Sequence, residues 1–368
     1  MTADPETAAM DAEALRSVEE LFRRQIEEGL HPAAAVAVYR HGRLVLDLWG
    51  GVADRESARP VEADSLFVFF SATKPLVAVC LHLLVEAGLC DLDEPVARYW
   101  PEFGHNGKEA VTIRHVLSHQ GGFPQQPDGF GWDHLTDWEA AVRAVEEMPL
   151  LWRPGEAVGY HPLNFGWAVG ELVRCIDGRP IERFLREEIT APLGMTDTYL
   201  GLPEEHHERV AALYSMDDEV DPRTAQTFNH PQVRKAVIPA GGGIGTARDL
   251  ARFYAMMAAG GALDGVRVLA PETVDRATAV QVEGQVDRSL GIPMRWALGF
   301  HLGGHRTDLF GYNTSPRTFG HGGHGSSVGW ADPDLGLGVG ILTSGLRGAV
   351  PHAVRMAALS DAIRQACR

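Results

Sequence analysis

The chain has 368 residues, of which 45% are hydrophobic and 22% charged, ordinary values for a globular protein with a sizeable core. With 33 Lys and Arg against 49 Asp and Glu, its formal net charge is -16. A surface this acidic repels nucleic-acid phosphates and anionic lipid, so we expect no nucleic-acid partner and no membrane binding.

The N-terminal text, MTADPETAAMDAEALRSVEELFRRQ, has no basic stretch followed by an apolar core, so we expect no signal peptide. No apolar run reaches the roughly 18 residues of a membrane-spanning helix. The four cysteines are far apart, form no C-x-x-C pair and favour reduced thiols over disulfides: Cys80, Cys90, Cys175 and Cys367. These features predict a cytoplasmic protein and leave its oligomeric state open.

The N-terminal third predicts a helix, a β-hairpin and a second helix. The first helix covers residues 11–28, and its apolar positions repeat on one face: Leu15, Val18, Leu21, Phe22 and Ile26. The hairpin is predicted by AAAVAVYRHGRLVLDLWGG, two apolar runs joined by a turn at His41 and Gly42. TKPLVAVCLHLLVEAGL then predicts a buried helix that ends near Gly88.

The rest of the chain predicts a helical middle followed by strands. A loop at 121–133 precedes the helices PLNFGWAVGELVRCIDG and PIERFLREEI. In TARDLARFYAMMAAGG, Thr246 is the expected N-cap and Asp249 stands three residues later, a variant of the capping box. Strands return from about Arg295 in RWALGFHLG, SSVGWADP and LGLGVGILTSG, and a last helix covers about 351–366. Strands at both chain ends predict an α/β sheet domain with an inserted helical domain.

Two serines stand in patterns typical of serine hydrolases. GSSVG reads as G-x-S-x-G, with Ser327 where a nucleophile elbow carries its attacking serine. An elbow needs a helix after the serine, but Pro333 and three glycines follow and predict a second strand. Only 41 residues remain, with His352 as their sole histidine, too few for the missing β-α units of an α/β-hydrolase. We therefore interpret Ser327 as a strand residue near the active site.

The second pattern is S-x-x-K in FFSATKPL, where Ser71 precedes a predicted helix and Lys74 lies one turn later on the same side. Pro75 suits a first helical turn, where its missing N–H is not needed. The partial positive charge of a helix N-terminus favours an alkoxide on Ser71 and lowers the pKa of Lys74. Such a lysine can hold or accept a proton, or keep a neighbouring phenolate charged.

Together with its partner segments, the chain resembles the serine β-lactamase and penicillin-binding-protein superfamily, and most of all the β-lactamase-like family VIII carboxylesterases. The similar segments extend over almost the whole chain: SATK at 71–74, VTIRHVLSHQGG at 111–122, RPGEAVGY at 153–160, GGGIGTARDLARFY at 241–254 and GHGGHGSSVGWADPDLGLG at 320–338. The resemblance implies an α/β (α+β) fold of the β-lactamase/transpeptidase type, with an antiparallel sheet built from both chain ends and flanked by helices. We place the sheet domain at 1–72 and 290–368, a mostly helical domain at 73–289, and the active site between them.

The resemblance also implies roles for individual residues. Ser71 would be the nucleophile and Lys74 its activating partner. Tyr160, which matches the tyrosine of the second family motif, would take the serine proton and pass it to the leaving group, its phenolate stabilised by Lys74. The N–H groups of Ser71 and His324 would form the oxyanion hole. This mechanism requires no organic cofactor and no metal.

Two motifs depart from the lactamase pattern. The third motif, Lys-Thr-Gly in lactamases, reads HGG from His321 to Gly323, and a mostly neutral histidine replaces the cation that binds a substrate carboxylate. The second motif, Tyr-x-Asn, reads YHP, and Asn164 is a candidate for the missing amide. Gln120 is a further substrate-binding candidate. These departures favour uncharged esters over penicillins and D-amino-acid peptides.

The sequence therefore predicts a carboxylesterase that cleaves small-molecule, short-chain esters through an acyl-enzyme on Ser71. Three alternatives stay open: an acyltransferase on the same fold, a β-lactamase or D-amino-acid peptidase, and a non-catalytic protein that recognises acyl groups or peptides.

Other patterns have simpler interpretations. Several histidines have spacings found in zinc sites, but their segments are glycine-rich strands and loops without a nearby Cys or carboxylate at ligand spacing: His206, His207, His301, His305, His321 and His324. GGGIG before a helix lacks the ending of a phosphate-binding loop and is interpreted as a tight loop near the acyl pocket. We expect His119 to buttress the site and His161 to be structural or to contact substrate. Four aromatic residues are weaker candidates for a pocket wall: Phe123, Phe130, Trp132 and Trp330.

Overall fold

The main sheet of the molecule takes its strands from both ends of the chain. The structure, a computed structural model, describes residues 2–127, 129–304 and 309–368. Its strands are β1 (Ala33–Arg40), β2 (Arg43–Asp54), β3 (Arg59–Pro60), β4 (Phe67–Val68), β5 (Thr198–Leu200), β6 (Tyr214–Ser215), β7 (Gly243–Gly245), β8 (Ala262–Leu263), β9 (Val266–Arg267), β10 (His301–Leu302), β11 (Phe319–Gly323), β12 (Ser327–Asp332), β13 (Leu337–Thr343) and β14 (Gly345–Leu346). Seven of them form an antiparallel sheet in the order β10-β11-β12-β13-β1-β2-β3. The predicted antiparallel sheet from both chain ends is confirmed.

The centre of this sheet is the pair β1 and β13, which runs in register from Ala34 opposite Thr343 to Arg40 opposite Leu337. All eight residues of β1 are buried because helices cover both faces of the sheet, which explains the continuous apolar run. The predicted hairpin is confirmed: β1 and β2 are joined by His41 and Gly42, both with positive φ (49° and 76°), as a tight two-residue turn requires.

The helices form layers on the two faces of the sheet and a group beyond its edge. They are α1 (Ala12–Glu27), α2 (Lys74–Glu86), α3 (Ile113–Leu117), α4 (Trp132–Thr136), α5 (Trp138–Glu147), α6 (Asn164–Asp177), α7 (Ile181–Leu185), α8 (Pro222–Asn229), α9 (Pro231–Lys235), α10 (Ala247–Ala258), α11 (Pro271–Thr278) and α12 (Ala349–Gln365). Residues Val36 and Val38 share a core with α1 and α12, whereas Ala35 and Ala37 share one with α10. The alternation along β1 thus separates the two cores.

Helix α10 lies very close to the sheet because β13 presents glycines to it. A Cβ at Gly338 would stand 2.2 Å from the Ala255 nitrogen, so only glycine fits there. Thr246 caps the helix as predicted, its hydroxyl accepting from the Asp249 N–H at 3.2 Å. The Asp249 carboxylate does not complete a capping box. It accepts instead from the N–H of Asp197 at 2.8 Å.

The helical part of the chain differs from the expectation in two details. Helix α10 packs on the sheet although the predicted boundary assigned it to the helical domain, and that domain division stays a prediction. RWALGFHLG forms a strand only at β10, because Trp296 makes isolated bridges to Val282 and His301 instead. All four cysteines are free thiols. Among the described residues, no helix is long and apolar enough to cross a membrane.

Candidate active site

Ser71 lies on a tight turn between β4 and α2. A 3-10 turn, Phe70–Thr73, carries the half-buried serine to the first residue of α2. Phe70 has a φ of 48°, a left-handed conformation that costs a large residue about 1–3 kcal/mol. The turn is held from within by the Thr73 hydroxyl, which donates to the Phe70 carbonyl at 2.6 Å. It is held from outside by Gly243, whose N–H donates to the same hydroxyl at 3.0 Å.

The GGGIG segment is the support of this turn. Gly243 accepts from the Phe69 N–H at 2.8 Å, and a Cβ on Gly243 would stand 2.5 Å from the Thr73 hydroxyl oxygen. Its strand, β7, also pairs with β4. The glycines are therefore explained by close backbone approach rather than by phosphate binding.

Lys74 is fully buried and points at Ser71. Its Nζ lies 2.9 Å from the Ser71 Oγ, 2.7 Å from the Pro162 carbonyl and 3.1 Å from the Ala240 carbonyl. Burial holds the pKa of Lys74 well below its usual range, because no carboxylate balances its charge. In the neutral amine, two N–H groups satisfy the two carbonyls and the lone pair faces the Ser71 hydroxyl.

The ring of Tyr160 lies next to the Lys74 amine. The Lys74 Nζ lies 4.7 Å from the centroid of its ring, on the ring face. Burial raises the pKa of the Tyr160 phenol, the Ser71 side chain partly offsets that rise, and the charge of Asp287 adds to it. This environment disfavours a phenolate. The hydrogen bonds of Lys74 go to Ser71, Pro162 and Ala240, and the expected stabilisation of a Tyr160 phenolate by Lys74 stays a prediction.

The Tyr160 ring is enclosed by other aromatic side chains. Trp296 stacks on it at 5.5 Å with an angle of 7° between the planes, and the His119 ring meets it edge-on at 4.9 Å. Sequence reasoning anticipated His119 as a buttress but missed Trp296 and Phe70. An aromatic residue 136 positions from Tyr160 carries no local pattern that connects the two.

Strand β11 runs past the serine turn at its C-terminal end. A Cβ on Gly323 would stand 2.1 Å from the Phe69 carbonyl oxygen and 2.1 Å from the Ser327 Oγ. The Ser327 hydroxyl donates to that same carbonyl at 2.6 Å and is completely buried. Ser327, the serine of GSSVG, thus lies on β12 and is engaged with the backbone two residues before Ser71.

The turn after β11 carries His324, whose exposed side chain lies 5.9 Å from the Phe70 ring. In the described part of the chain, the N–H groups of Ser71 and His324 make no backbone hydrogen bond, so both remain available as donors. Buried Arg355 of α12 fixes the turn by donating to the carbonyls of Gly345 and Gly325, each at 2.6 Å. The proposed oxyanion hole stays a prediction.

His321 is brought to the site, at the end of the aromatic enclosure. Its ring centroid lies 5.9 Å from that of Tyr160, and its Nδ1 is 2.7 Å from the Gly322 carbonyl. Burial holds the pKa of His321 well below its usual range, so the ring is neutral near pH 7. The position that holds a lysine in lactamases therefore carries no fixed cation here.

Two predicted substrate-binding residues, Asn164 and Gln120, make hydrogen bonds within the protein. The Asn164 amide donates to the carbonyls of Phe123 and Gln125, each at 2.7 Å, and so anchors the 121–133 loop. Its role as the amide of the second motif stays a prediction. The Gln120 side chain accepts from the Ser118 hydroxyl at 2.9 Å.

The remaining candidate residues form hydrogen bonds with other groups of the protein. The Nε2 of His161 accepts from the Phe123 N–H, and the backbone N–H of His161 donates to the His119 Nδ1, both at 3.2 Å. Trp330 is buried in the core beneath α12 and donates to the Ser360 hydroxyl at 3.1 Å. His305 lies outside the described residues. Among those described, no three His, Cys, Asp or Glu side chains form a group that could hold a metal ion.

Comparison with known proteins gives a consistent result. The sequence matches the Beta-lactamase family over residues 18–362. It is 36% identical over 337 residues to the esterase/beta-lactamase LipL of Mycobacterium tuberculosis, covering 82% of this chain and 75% of that protein. A crystal structure of a family VIII carboxylesterase superposes with a TM-score of 0.86 at 30% identity, over 97% of this chain and 98% of that one. A penicillin-binding protein homologue from Caulobacter crescentus gives 0.83 at 34% identity, over 96% and 98%.

Proposed function

Because the chain belongs to the beta-lactamase family, we propose that it is a serine carboxylesterase that cleaves short-chain esters through an acyl-enzyme on Ser71. The observation that carries the proposal is the buried Lys74 Nζ, 2.9 Å from the Ser71 Oγ at a strained turn before a helix. The esterase names of its relatives support the same class of reaction.

The proton of Ser71 goes first to Lys74. The neutral amine accepts it as the serine oxygen attacks the ester carbonyl, and the resulting ammonium donates to Pro162 and Ala240. The N–H groups of Ser71 and His324 stabilise the oxyanion. This assignment moves the role of base from Tyr160 to Lys74, because burial favours the neutral form of both side chains.

Tyr160 then acts as the acid. Its phenol gives a proton to the leaving alkoxide as the tetrahedral intermediate collapses, and the proton held by Lys74 restores the phenol. Water then attacks the acyl-enzyme and its proton passes through Tyr160 to Lys74. Lys74 gives this proton to the Ser71 oxygen as the acyl group is released. The free acid and Ser71 are released in their starting protonation states.

The neutral His321 supports an ester rather than a penicillin or a peptide with a free carboxylate. Such substrates need a cation opposite their carboxylate, and burial keeps His321 uncharged. An uncharged ester places no unpaired charge against this side chain. An acyltransferase on the same residues would differ only in the acceptor, an alcohol or amine in place of water.

The test compares wild type, Ser71→Ala and Ser327→Ala in p-nitrophenyl butyrate hydrolysis, with a fluorophosphonate adduct mapped by mass spectrometry. We expect Ser71→Ala to lose several orders of magnitude in rate and to take no adduct, since the nucleophile is gone. Ser327→Ala loses one hydrogen bond to the Phe69 carbonyl and should be several-fold slower while still labelled on Ser71.

An adduct on Ser327, or full activity of Ser71→Ala, contradicts the proposal. Faster turnover with an added alcohol would favour the acyltransferase, and a strong nitrocefin signal would favour the lactamase. Wild type that is folded but neither hydrolyses esters nor takes the label would favour a recognition protein.

A further inference from the structure

Asp287 is a buried carboxylate directly behind Tyr160. Its Oδ1 accepts from the Tyr160 N–H at 2.9 Å and from the N–H groups of Ser289 and Leu290 at 2.9 and 3.1 Å. Its Oδ2 accepts from the Trp296 Nε1 at 3.1 Å, and the side chain is completely buried. Four N–H donors surround the carboxylate and take the place of water around it.

These bonds join the two supports of the tyrosine. Trp296 is the residue that stacks on the Tyr160 ring at 5.5 Å, so the carboxylate fixes the indole that fixes the phenol. The backbone of the same tyrosine is bonded directly. The neighbouring Arg288 N–H donates to the Val158 carbonyl at 2.9 Å, which holds the loop alongside the Tyr160 segment.

We propose that Asp287 is a positioning residue that holds the backbone of Tyr160 directly and its ring through Trp296. Its role rests on the proposed function of Tyr160 as the acid that protonates the leaving group. A catalytic acid must stand within hydrogen-bond reach of the leaving oxygen, and a displacement of about 1 Å can cost about 100-fold in rate.

The charge of Asp287 has a second effect on Tyr160. The ionisable groups that face the Tyr160 ring are Lys74 from α2, His119 from the turn after α3 and His321 from β11, while Asp287 from the loop after α11 lies against its backbone N–H. Burial keeps both histidines neutral, which leaves Asp287 and the Lys74 amine as the groups that decide the charge near the ring. After burial itself, the Asp287 carboxylate raises the pKa of the phenol and so keeps it protonated for use as an acid.

The experiment uses Asp287→Asn, which keeps the shape of the side chain but removes its charge and turns an N–H toward the Trp296 indole. With an alkyl butyrate, whose leaving group needs an acid, we expect kcat to fall about 10- to 100-fold and KM to change by less than about threefold. The Tyr160 pKa should fall, because the carboxylate charge that raises it is gone. Protein labelled with 13C at tyrosine Cζ reports that pKa directly, with Tyr160→Phe assigning the resonance.

Two further variants separate position from charge. Trp296→Phe keeps the carboxylate and loses its bond to the indole, so kcat should fall while the Tyr160 pKa stays high. Asp249→Asn is the matched control, a second buried aspartate that accepts from a backbone N–H away from the site, and it should leave the Tyr160 titration unchanged. Circular dichroism and Tm establish that each variant is folded.

The proposal is overturned if Tyr160 titrates in Asp287→Asn as in wild type, or if Asp287→Asn or Trp296→Phe keeps the kcat of wild type. If Asp287→Asn does not fold, Trp296→Phe alone decides the positioning role through kcat. The carbon titration requires no turnover. An inactive wild type with an unlabelled Ser71 would therefore contradict the proposed function while the shift of the Tyr160 pKa still decides the effect of Asp287.

Discussion

At the scale of single residues, burial and hydrogen bonding together determine the protonation state of the Lys74 amine. Removal from water favours the neutral amine, while the carbonyls of Pro162 and Ala240 accept hydrogen bonds in either protonation state. The Ser71 hydroxyl is the one partner that can donate back to the nitrogen. In the proposed mechanism, the proton that Ser71 loses on attack therefore has its acceptor 2.9 Å away.

This arrangement predicts different costs for the loss of the base and the loss of the acid. Lys74→Arg cannot give up its charge and should lose about 100- to 10,000-fold in kcat/KM with both p-nitrophenyl and alkyl butyrates. Tyr160→Phe should lose a similar factor only with alkyl butyrate, because p-nitrophenolate leaves without an acid. In wild type, kcat/KM should rise with pH as Lys74 deprotonates, and Lys74→Arg should lack that limb. Stopped-flow rates between about pH 5 and 10 measure both.

The opposite pattern would assign the base to Tyr160. If Tyr160→Phe is as slow as Lys74→Arg toward p-nitrophenyl butyrate, the phenolate takes the serine proton after all. Trp330→Phe is a suitable control, since its indole bonds Ser360 beneath α12 and not the site.

The residues proposed as catalytic are those that lie in short motifs of the sequence. Ser71 and Lys74 are three positions apart on one helical turn, and Tyr160 was found through the resemblance. The contacts of Asn164 with the 121–133 loop were not predictable, because proximity in sequence to Tyr160 does not say which way an amide points. Asp287 and Trp296 were missed, because their contact with Tyr160 depends on a long-range fold that no local pattern records.

At the scale of elements, the hairpin of β11 and β12 determines the position of the turn that carries His324. Gly323 and Ser327 both meet the Phe69 carbonyl, and Arg355 holds the Gly325 carbonyl at the tip of the turn. The turn end of the hairpin is therefore fixed both to the serine turn and to α12. The two N–H groups proposed for the oxyanion hole sit on either side of this contact.

The close packing of the hairpin predicts that alanine substitutions at two neighbouring glycines differ in their effect on activity. A methyl group at Gly323 meets backbone at 2.1 Å, so Gly323→Ala should push β11 away from the serine turn, lower kcat by about 100-fold and cost about 1–3 kcal/mol of stability. At Gly322 the methyl group meets the flexible end of Leu309, so Gly322→Ala is the matched control and should lose far less activity. Kinetics and urea unfolding measure both effects.

Equal activity of the two alanine variants would show that the close approach of Gly323 to Phe69 does not control the position of the His324 turn.

The elements themselves were mostly predictable, since α1 follows from apolar periodicity, and α2 and the first hairpin follow from apolar runs bounded by turn residues. The exception is the segment before β10, where apolar residues with strand character form bridges around Trp296 instead of a strand.

At the scale of the whole molecule, buried histidines connect stability to pH. Burial lowers the pKa of His31 and His161 to about 3 and of His82 to about 4. Because the unfolded chain binds protons near pH 6.5, it binds more protons than the folded chain below that pH. These histidines therefore do not reduce the free energy of unfolding above about pH 6.5. As the pH drops toward 4, that free energy falls by about 1.4 kcal/mol per pH unit for each histidine.

His82→Gln tests this dependence at one site. The His82 Nε2 lies 2.9 Å from the Leu298 carbonyl, a bond that a glutamine amide can replace without titrating. Between pH 7 and 5, Tm should fall less steeply in His82→Gln than in wild type. Parallel Tm curves would mean that His82 does not contribute to the acid sensitivity. His206→Gln, at a histidine outside the core, is the control and should follow wild type.

The pairing of β1 with β13 also has a consequence for synthesis on the ribosome. About 300 residues separate the two strands, so β1 is paired only with β2 until the chain has been translated past Thr343. During that interval the other edge of β1, apolar and without its partner, is open to wrong pairing. The last helix and the last long strand are thus needed before the first hairpin is protected. We expect such a chain to fold late and slowly, and to depend on chaperones more than a protein whose sheet is built from neighbouring segments.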